Sequence, residues 1–320
     1  MLTDRANTIC LYRILFEHSD ENHILSMRNI IDCFAEEYDM KIDRRTVYSS
    51  VDTLKDLGYD ISAYDENGKG YYLKSRLLSP ADVRLLSDAL YSLYSVPNKQ
   101  TAELVGKLQL LLSEHERTNF RHLTAVSYER KTDNSAVFRN ISALDEAIGK
   151  KYKVSFVYLQ YGLDKKLHPR RLDRYIVSPF GMICENGNYY LICVKDGKEG
   201  LSYYRIDRMN DINVLPVKVD SKSVKQDIAS SKRMVYAFSG KEENIVLKCS
   251  NSVIGGVIDR FGLEPKIRKV DDEHFEARIR AVPRGVLYWT MQYLSEIEIL
   301  EPESVRQQAI DLIKSNKYGI

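Results

Sequence analysis

The sequence predicts an α+β protein built from several modules, and three observations carry that expectation. Amphipathic helical patterns open the chain, strand periodicity rich in tyrosine fills its middle, and the local charge changes sign between the two. At 320 residues the chain exceeds one compact domain, for which about 150 residues is usual. Residues 1–75 hold 9 Lys/Arg against 14 Asp/Glu, residues 150–210 hold 12 against 6, and residues 240–320 hold 12 against 13. The formal net charge of +2 therefore conceals an acidic first module and a basic middle one. That middle stretch also carries 8 of the 22 tyrosines, whereas the whole chain has one tryptophan.

The first module reads as three helices and a hairpin. Ile9, Tyr12, Leu15 and Phe16 suggest one apolar face. Met27, Ile30, Ile31, Phe34, Ala35 and Tyr38 follow helical spacing closely, and after Asp43, a good N-cap, Val47, Val51 and Leu54 do so again. Gly58 stops this third helix. Ile61–Tyr64 and Tyr71–Leu73 then flank a turn-rich segment containing Asn67-Gly68, which signals a β-hairpin. Together these elements follow the winged helix-turn-helix plan.

Two further helices are expected over residues 79–121. The first has Leu85, Leu86, Ala89, Leu90 and Leu93 on its buried face; the second carries Leu104, Val105, Leu108, Leu111 and Leu112. Both are too apolar for a bare tether, so they are expected to pair with a second copy of the chain. A polar connector over residues 124–140 and a short helix at Ala143–Ile148 follow. The basic module then shows about five strands broken by Gly and Asn turns, the pattern of a small barrel: Val154–Tyr158, Tyr175–Met182, Tyr189–Val194 and Leu201–Met209 are its clearest runs. The last module reads strand, helix, two-strand hairpin, helix, strand, helix, a ferredoxin-like unit with one added helix. The expected boundaries are 1–75, 76–130, 131–225 and 240–320.

If Val47, Val51 and Leu54 are buried, then Arg44, Arg45, Tyr48, Ser49 and Asp52 point outward from the first turns of their helix. A helix that reads the major groove needs this arrangement, because its N-terminal residues reach base edges and phosphates. Thr46 or Ser49 can bond to the nucleic-acid backbone, and Lys69 at the hairpin tip, with Lys74 at its base, can meet an adjacent phosphate. A solvated helix face is the plainer competing reading of the same pattern, and the acidic balance of the module opposes DNA unless two copies act together. In the basic module Tyr158, His168, Arg170, Arg171, Tyr189, Tyr190, Tyr203, Tyr204, Arg205 and Arg208 suit an anionic ligand with a stackable face. Ordinary packing of alternate aromatics is the competing reading.

In order and motif the chain resembles the WYL-domain transcriptional regulators of bacteria. The resemblance rests on Asp43-Arg44-Arg45-Thr46-Val47-Tyr48, Ser178-Pro179-Phe180-Gly181-Met182, Tyr189-Tyr190-Leu191 in place of the family's naming tripeptide, and Tyr204-Arg205-Ile206-Asp207-Arg208. It covers nearly the whole chain. It implies a winged helix-turn-helix, a helical linker, an SH3/Sm-like WYL barrel and a C-terminal WCX-type extension. It further implies a homodimer that binds double-stranded DNA, with a barrel that senses a nucleotide or a short single-stranded nucleic acid. Tyr158, His168, Arg170, Tyr189, Tyr190, Tyr204, Arg205 and Arg208 are the ligand candidates; Arg44, Arg45, Thr46, Tyr48, Ser49 and Lys69 are the DNA candidates.

Other classes find little support. The six histidines are dispersed without paired ligand spacing, and no phosphate-binding glycine loop or nucleophile elbow occurs, so neither catalytic residues nor a cofactor is expected. The five scattered cysteines suggest reduced thiols and no metal site. MLTDRANTIC carries an early acid and no apolar segment, and no apolar run nears the ~18 residues of a membrane span, so a cytoplasmic protein with no membrane partner is expected. Trp289, beside Leu287 and Leu294, reads as core. A protein whose main task is gripping single strands remains the rival reading.

Overall fold

Folding divides the chain into two compact units, Met1–Ser135 and Ala136–Ile320. The computed structural model describes residues 6–118, 120, 131–198, 200–219, 238 and 240–317. His122 and residues 124–130 of the expected polar connector lie outside the described residues. In the first unit α1 (Asn7–His18), α2 (Met27–Tyr38) and α3 (Arg44–Asp56) precede β1 (Ile61–Ser62) and β2 (Tyr72–Leu73). Ser26 and Asn29 cap α2 reciprocally, and the Asp43 side chain accepts from Thr46 N at 2.7 Å to start α3. Cys10, Leu11, Ile14, Leu15, Ile30, Phe34, Val47, Val51 and Leu54 meet Ile61, Tyr71 and Leu73 in one core.

Two expectations for this core need correction. Ile9 is 65% exposed, because α1 buries the Cys10, Leu11, Ile14 and Leu15 stripe instead. The hairpin is joined by α4 (Tyr64–Asn67), one helical turn closed by Gly68 at φ 66°, and Tyr64 belongs to that turn. Asn67 organises the connection: its amide donates to Gly70 O and Ser62 Oγ, and its Oδ1 accepts from Lys69 N and Gly70 N. At Gly70 a Cβ would lie 2.1 Å from Leu25 O, since the chain there pairs with the strip before α2 through Leu25 and Tyr71. Only glycine permits that approach.

Next come α5 (Pro80–Ser92), α6 (Asn98–Gln109) and α7 (Glu114–Thr118). Within one chain, α5 packs through a face other than the predicted apolar one. Val83 and Ser87 are buried, with Val83 packed on Leu112 and Phe120, whereas Leu85 and Leu86 are 72% and 42% exposed and Ala89 is exposed too. The helix carries two apolar stripes, and the small Ser87 marks the one facing its neighbours. Lys131 secures the end of α5, donating to the carbonyls of Leu90, Leu93 and Val96 and to Thr101 Oγ1 at 2.7–3.3 Å. Lys131→Met should therefore leave several acceptors unmet and lower stability by about 2 kcal/mol in a urea melt. An unchanged midpoint would show that water replaces the ammonium there.

The second unit opens on α8 (Val137–Lys150), longer at both ends than the predicted helix and covering residues assigned to the connector. Six strands follow: β3 (Tyr152–Tyr161), β4 (Leu167–Pro169), β5 (Tyr175–Glu185), β6 (Asn188–Lys195), β7 (Leu201–Arg205) and β8 (Met209–Lys218). The run from 201 to 209, read as one strand, is broken by a 3₁₀ turn at Ile206–Arg208. All pairings are antiparallel; Val154 of β3 lies between Val177 of β5 and Val214 of β8, and from Leu159 the strand pairs with β4. Asn186 and Gly187, at φ 49° and 71°, close the β5–β6 hairpin as a two-residue turn requires. A core of Leu144, Ala147, Val154, Phe156, Tyr175, Val177, Leu191, Cys193, Tyr204, Ile206 and Met209 joins sheet to α8.

The unit ends with β9 (Glu243–Ser250), α9 (Ile254–Phe261), β10 (Lys266–Lys269), β11 (His274–Ala281), α10 (Pro283–Thr290), β12 (Ile297–Glu301) and α11 (Glu303–Lys314). The sheet order β10-β11-β9-β12, all antiparallel, is the one a βαββαβ chain forms when its first helix crosses over one strand position. Trp289 is 4% exposed and meets Phe261 edge-on at 4.9 Å, so it is core. A Cβ on Gly256 would come 3.0 Å from the Tyr293 hydroxyl, which explains glycine inside α9.

Candidate functional site

The cap at Asp43 and the buried Val47, Ser50, Val51 and Leu54 fix how α3 is rotated. Arg44, Arg45, Tyr48 and Ser49 are exposed as a consequence. Among the described residues neither arginine forms a salt bridge. Thr46 is half-buried and its hydroxyl bonds back to Asp43, so it serves the cap. The Tyr48 hydroxyl bonds to Tyr71, whose own phenol is pushed up to about 12 by burial and by that neighbour, while Tyr48 itself stays 51% exposed. Lys69 is exposed at the hairpin tip. Lys74 is committed elsewhere, 2.6 Å from Glu66 and 3.5 Å from Asp60, so its suggested phosphate contact is corrected.

In the second unit, alternation sorts the candidates onto two sides of the sheet. Tyr190 pairs with Arg205 across β6 and β7, while their neighbours Leu191 and Tyr204 pair on the core side. The Arg205 guanidinium grips Asp207 with two hydrogen bonds of 2.7 and 3.0 Å, and that carboxylate is 3% exposed. Burial alone lowers the Arg205 pKa, but these bonds raise it overall. Arg205 N donates to the Tyr158 hydroxyl at 3.3 Å. Arg208 lies 5.6 Å over the Tyr161 ring, and its buried Nε has no hydrogen-bond partner. Burial raises the phenols of Tyr158 and Tyr190. Tyr190, Arg205 and Arg208 thus gather around the 3₁₀ turn, which the Tyr158 hydroxyl reaches from the core side, combining one aromatic surface, two guanidinium groups and an unmet donor.

This turn is positioned from a distance. Ile206 and Met209 are fully buried, and the Asn140 amide of α8 donates to both their carbonyls at 3.3 and 2.9 Å. Sequence reasoning passed over Asn140, since one polar residue on a helix carries no signal of its target. Asp207, by contrast, was visible inside the quoted motif, although its role as clamp for Arg205 was not.

The remaining ligand candidates do not join this group. Tyr204 is buried with Phe156, Tyr158 and Tyr175 in a nest of aromatic rings with centroids 5.0–5.3 Å from its own, so it is core and not ligand surface. Tyr189 packs toward the core beside Leu191 and Cys193, on the side of β6 opposite Tyr190. His168 is exposed and holds Asp164 at 2.8 Å across the β3–β4 turn. Arg170 adds to a second cationic group: Arg171 and Lys195 stand 3.7 and 5.5 Å from the Tyr175 ring, and desolvation, then Arg171, Lys198 and Arg170, lower the Lys195 pKa.

Residues 139–214, which hold this sheet and its 3₁₀ turn, match the family model of the WYL domain. The chain therefore carries a WYL domain, as its motifs suggested. A curated relative extends the likeness: the uncharacterized HTH-type transcriptional regulator YobV of Bacillus subtilis (strain 168) is 22% identical over 296 residues, covering 87% of this chain and 90% of that one. The WYL domain and the likeness to an HTH-type transcriptional regulator are both consistent with the resemblance that the motifs carry. Two solved structures align along nearly all of the chain. Proteasome accessory factor B/C (PafBC) of Arthrobacter aurescens is 16% identical, with 98% of this chain and 48% of that one covered and a TM-score of 0.31. The chain thus spans about half the length of PafBC. A CRISPR Cas-related protein is 15% identical, with 97% and 84% covered and a TM-score of 0.40. No helix among the described residues is long and apolar enough to cross a membrane.

Proposed function

We propose that this chain is a bacterial, cytoplasmic transcriptional regulator, and no enzyme, that acts as a dimer on duplex DNA and responds to an anionic, stackable ligand at its WYL domain. In this reading residues 1–75 are a winged helix-turn-helix, 76–130 a dimerising linker, 131–225 the SH3/Sm-like sensor and 240–320 a WCX-type unit. The observation that carries it is the outward pair Arg44 and Arg45 in the first turn of a capped α3, free of salt bridges among the described residues. A recognition helix presents its cations there. The exposed Leu85, Leu86 and Ala89 of α5 support pairing of two copies, which the acidic first module needs for firm binding. Genomic DNA selection with the purified chain tests the reading: a symmetric duplex motif supports it, and recovery without sequence preference refutes it.

The ligand is read as a nucleotide or short single strand, held by Tyr190, Arg205 and Arg208 beside Tyr158. It biases the dimer only through different affinity for two arrangements of the half-sites. Stacking on an aromatic side chain contributes about 1–3 kcal/mol per base, so Tyr190→Ala should weaken binding of a fluorescent nucleotide or oligonucleotide roughly 5- to 150-fold. Arg208→Ala should do likewise without altering duplex affinity in the absence of ligand. Binding unchanged in both variants would move the site elsewhere. The second cationic group, around Tyr175, favours one alternative, a protein whose main task is to hold single strands; tighter binding of any single strand than of the selected duplex would establish it.

A further inference from the structure

Spacing along the chain suggests no metal ligands, yet folding of the first unit assembles a set. His18 ends α1, and Cys33 and Glu37 stand at i and i+4 on α2, so one helical face presents both. An imidazole nitrogen, the thiol sulfur and a carboxylate oxygen from these three residues lie within 4.8 Å of one another. His18 Nε2 is 2.5 Å from Glu37 Oε1, and its Nδ1 is 2.7 Å from Glu114 Oε1 at the start of α7. A carboxylate on the far nitrogen is the usual partner of a metal-bound histidine, because it fixes the tautomer and strengthens the donor. Glu36 and Asp32 add negative charge around the thiol. Among the described residues His18 is the one salt-bridge partner of Glu37, whereas His115 also stands 3.6 Å from Glu114 and Arg28 3.7 Å from Asp32.

The geometry points to a site for a late first-row divalent cation, zinc above all, held by His18 Nε2, the Cys33 thiolate and the Glu37 carboxylate, with Glu114 orienting His18. Thiolate and imidazole select such an ion over magnesium or calcium, which prefer all-oxygen shells. Binding expels the Cys33 proton, and any proton on Nε2, to solvent. The bound ion fastens the end of α1 to α2 and, through Glu114, to α7. The inference stands whether or not α3 reads DNA.

Full-length chain stripped of metal and titrated with Zn²⁺ or Co²⁺ tests it. Cobalt should give a thiolate charge-transfer band in the near ultraviolet, and zinc should raise the unfolding temperature. Cys33→Ser should abolish the band, and both it and His18→Ala should weaken zinc binding by more than loss of an outer partner does. Glu114→Gln, which spares the ligands, should keep the band and cost about tenfold in affinity. Cys184→Ser, removing the exposed thiol outside this unit, should change nothing. Circular dichroism of each metal-free variant separates lost ligation from lost folding. Absence of a thiolate band in the wild type, or a band that persists in Cys33→Ser and vanishes in Cys184→Ser, would overturn the assignment.

Discussion

Replacing Arg44 and Arg45 together by alanine should lower affinity for the selected duplex by about 30-fold to 10⁴-fold. Each arginine placed on a guanine or a phosphate contributes about 1–3 kcal/mol, and every 1.4 kcal/mol is tenfold. Both side chains are exposed, whereas the Asp43 cap and the Val47, Val51 and Leu54 anchor lie on other faces of α3. Alanine is a good helix former, so the melting temperature should hold. Fluorescence anisotropy at several salt concentrations provides the measurement. A lost phosphate contact also shallows the salt dependence by roughly one unit of slope, while a lost base contact relaxes sequence preference. Unchanged duplex affinity would mean that α3 is only a solvated helix.

The Arg205→Ala variant is expected to destabilise the second unit by about 3–5 kcal/mol as well as to lose ligand response. It withdraws a two-bonded guanidinium from an Asp207 carboxylate that is 3% exposed. It also disturbs the 3₁₀ turn that Asn140 holds through Ile206 and Met209. Thermal unfolding should show the drop, with Arg205→Lys intermediate because an ammonium keeps the charge but not the fork. A fully stable Arg205→Ala protein would show that this ion pair contributes little and that Arg205 is available to ligand. Loss of response in that variant therefore means little without the parallel result for Arg208→Ala.

Much of the fold was legible because local patterns repeat at the period of the element. The apolar spacing of α2, the cap before α3, the Asn186-Gly187 turn and the strand-helix order after residue 243 each specify an element through residues within a few positions of one another. The outward setting of Arg44 and Arg45 followed from the same local geometry. Less accessible was which of two apolar stripes meets the rest of the protein. Leu85 and Leu86 read as a buried face of α5, but within the chain the partners of that helix select Val83 and Ser87. Tyr189, Tyr190 and Tyr204 look alike in sequence, and strand pairing sends Tyr190 to the side of the sheet away from the core and the other two toward it.

What the linear order of residues established is therefore the longer helices and strands, their order and the direction of the cations on α3, and not the short turns at Tyr64–Asn67, Glu114–Thr118 and Ile206–Arg208. Three-dimensional packing alone brought Asn140 to carbonyls 66 and 69 positions away, and His18 to carboxylates 19 and 96 positions away. Periodicity records which side chains share a face of one element. It holds no record of what that face will meet, because such contacts arise from burial of surface between elements distant along the chain.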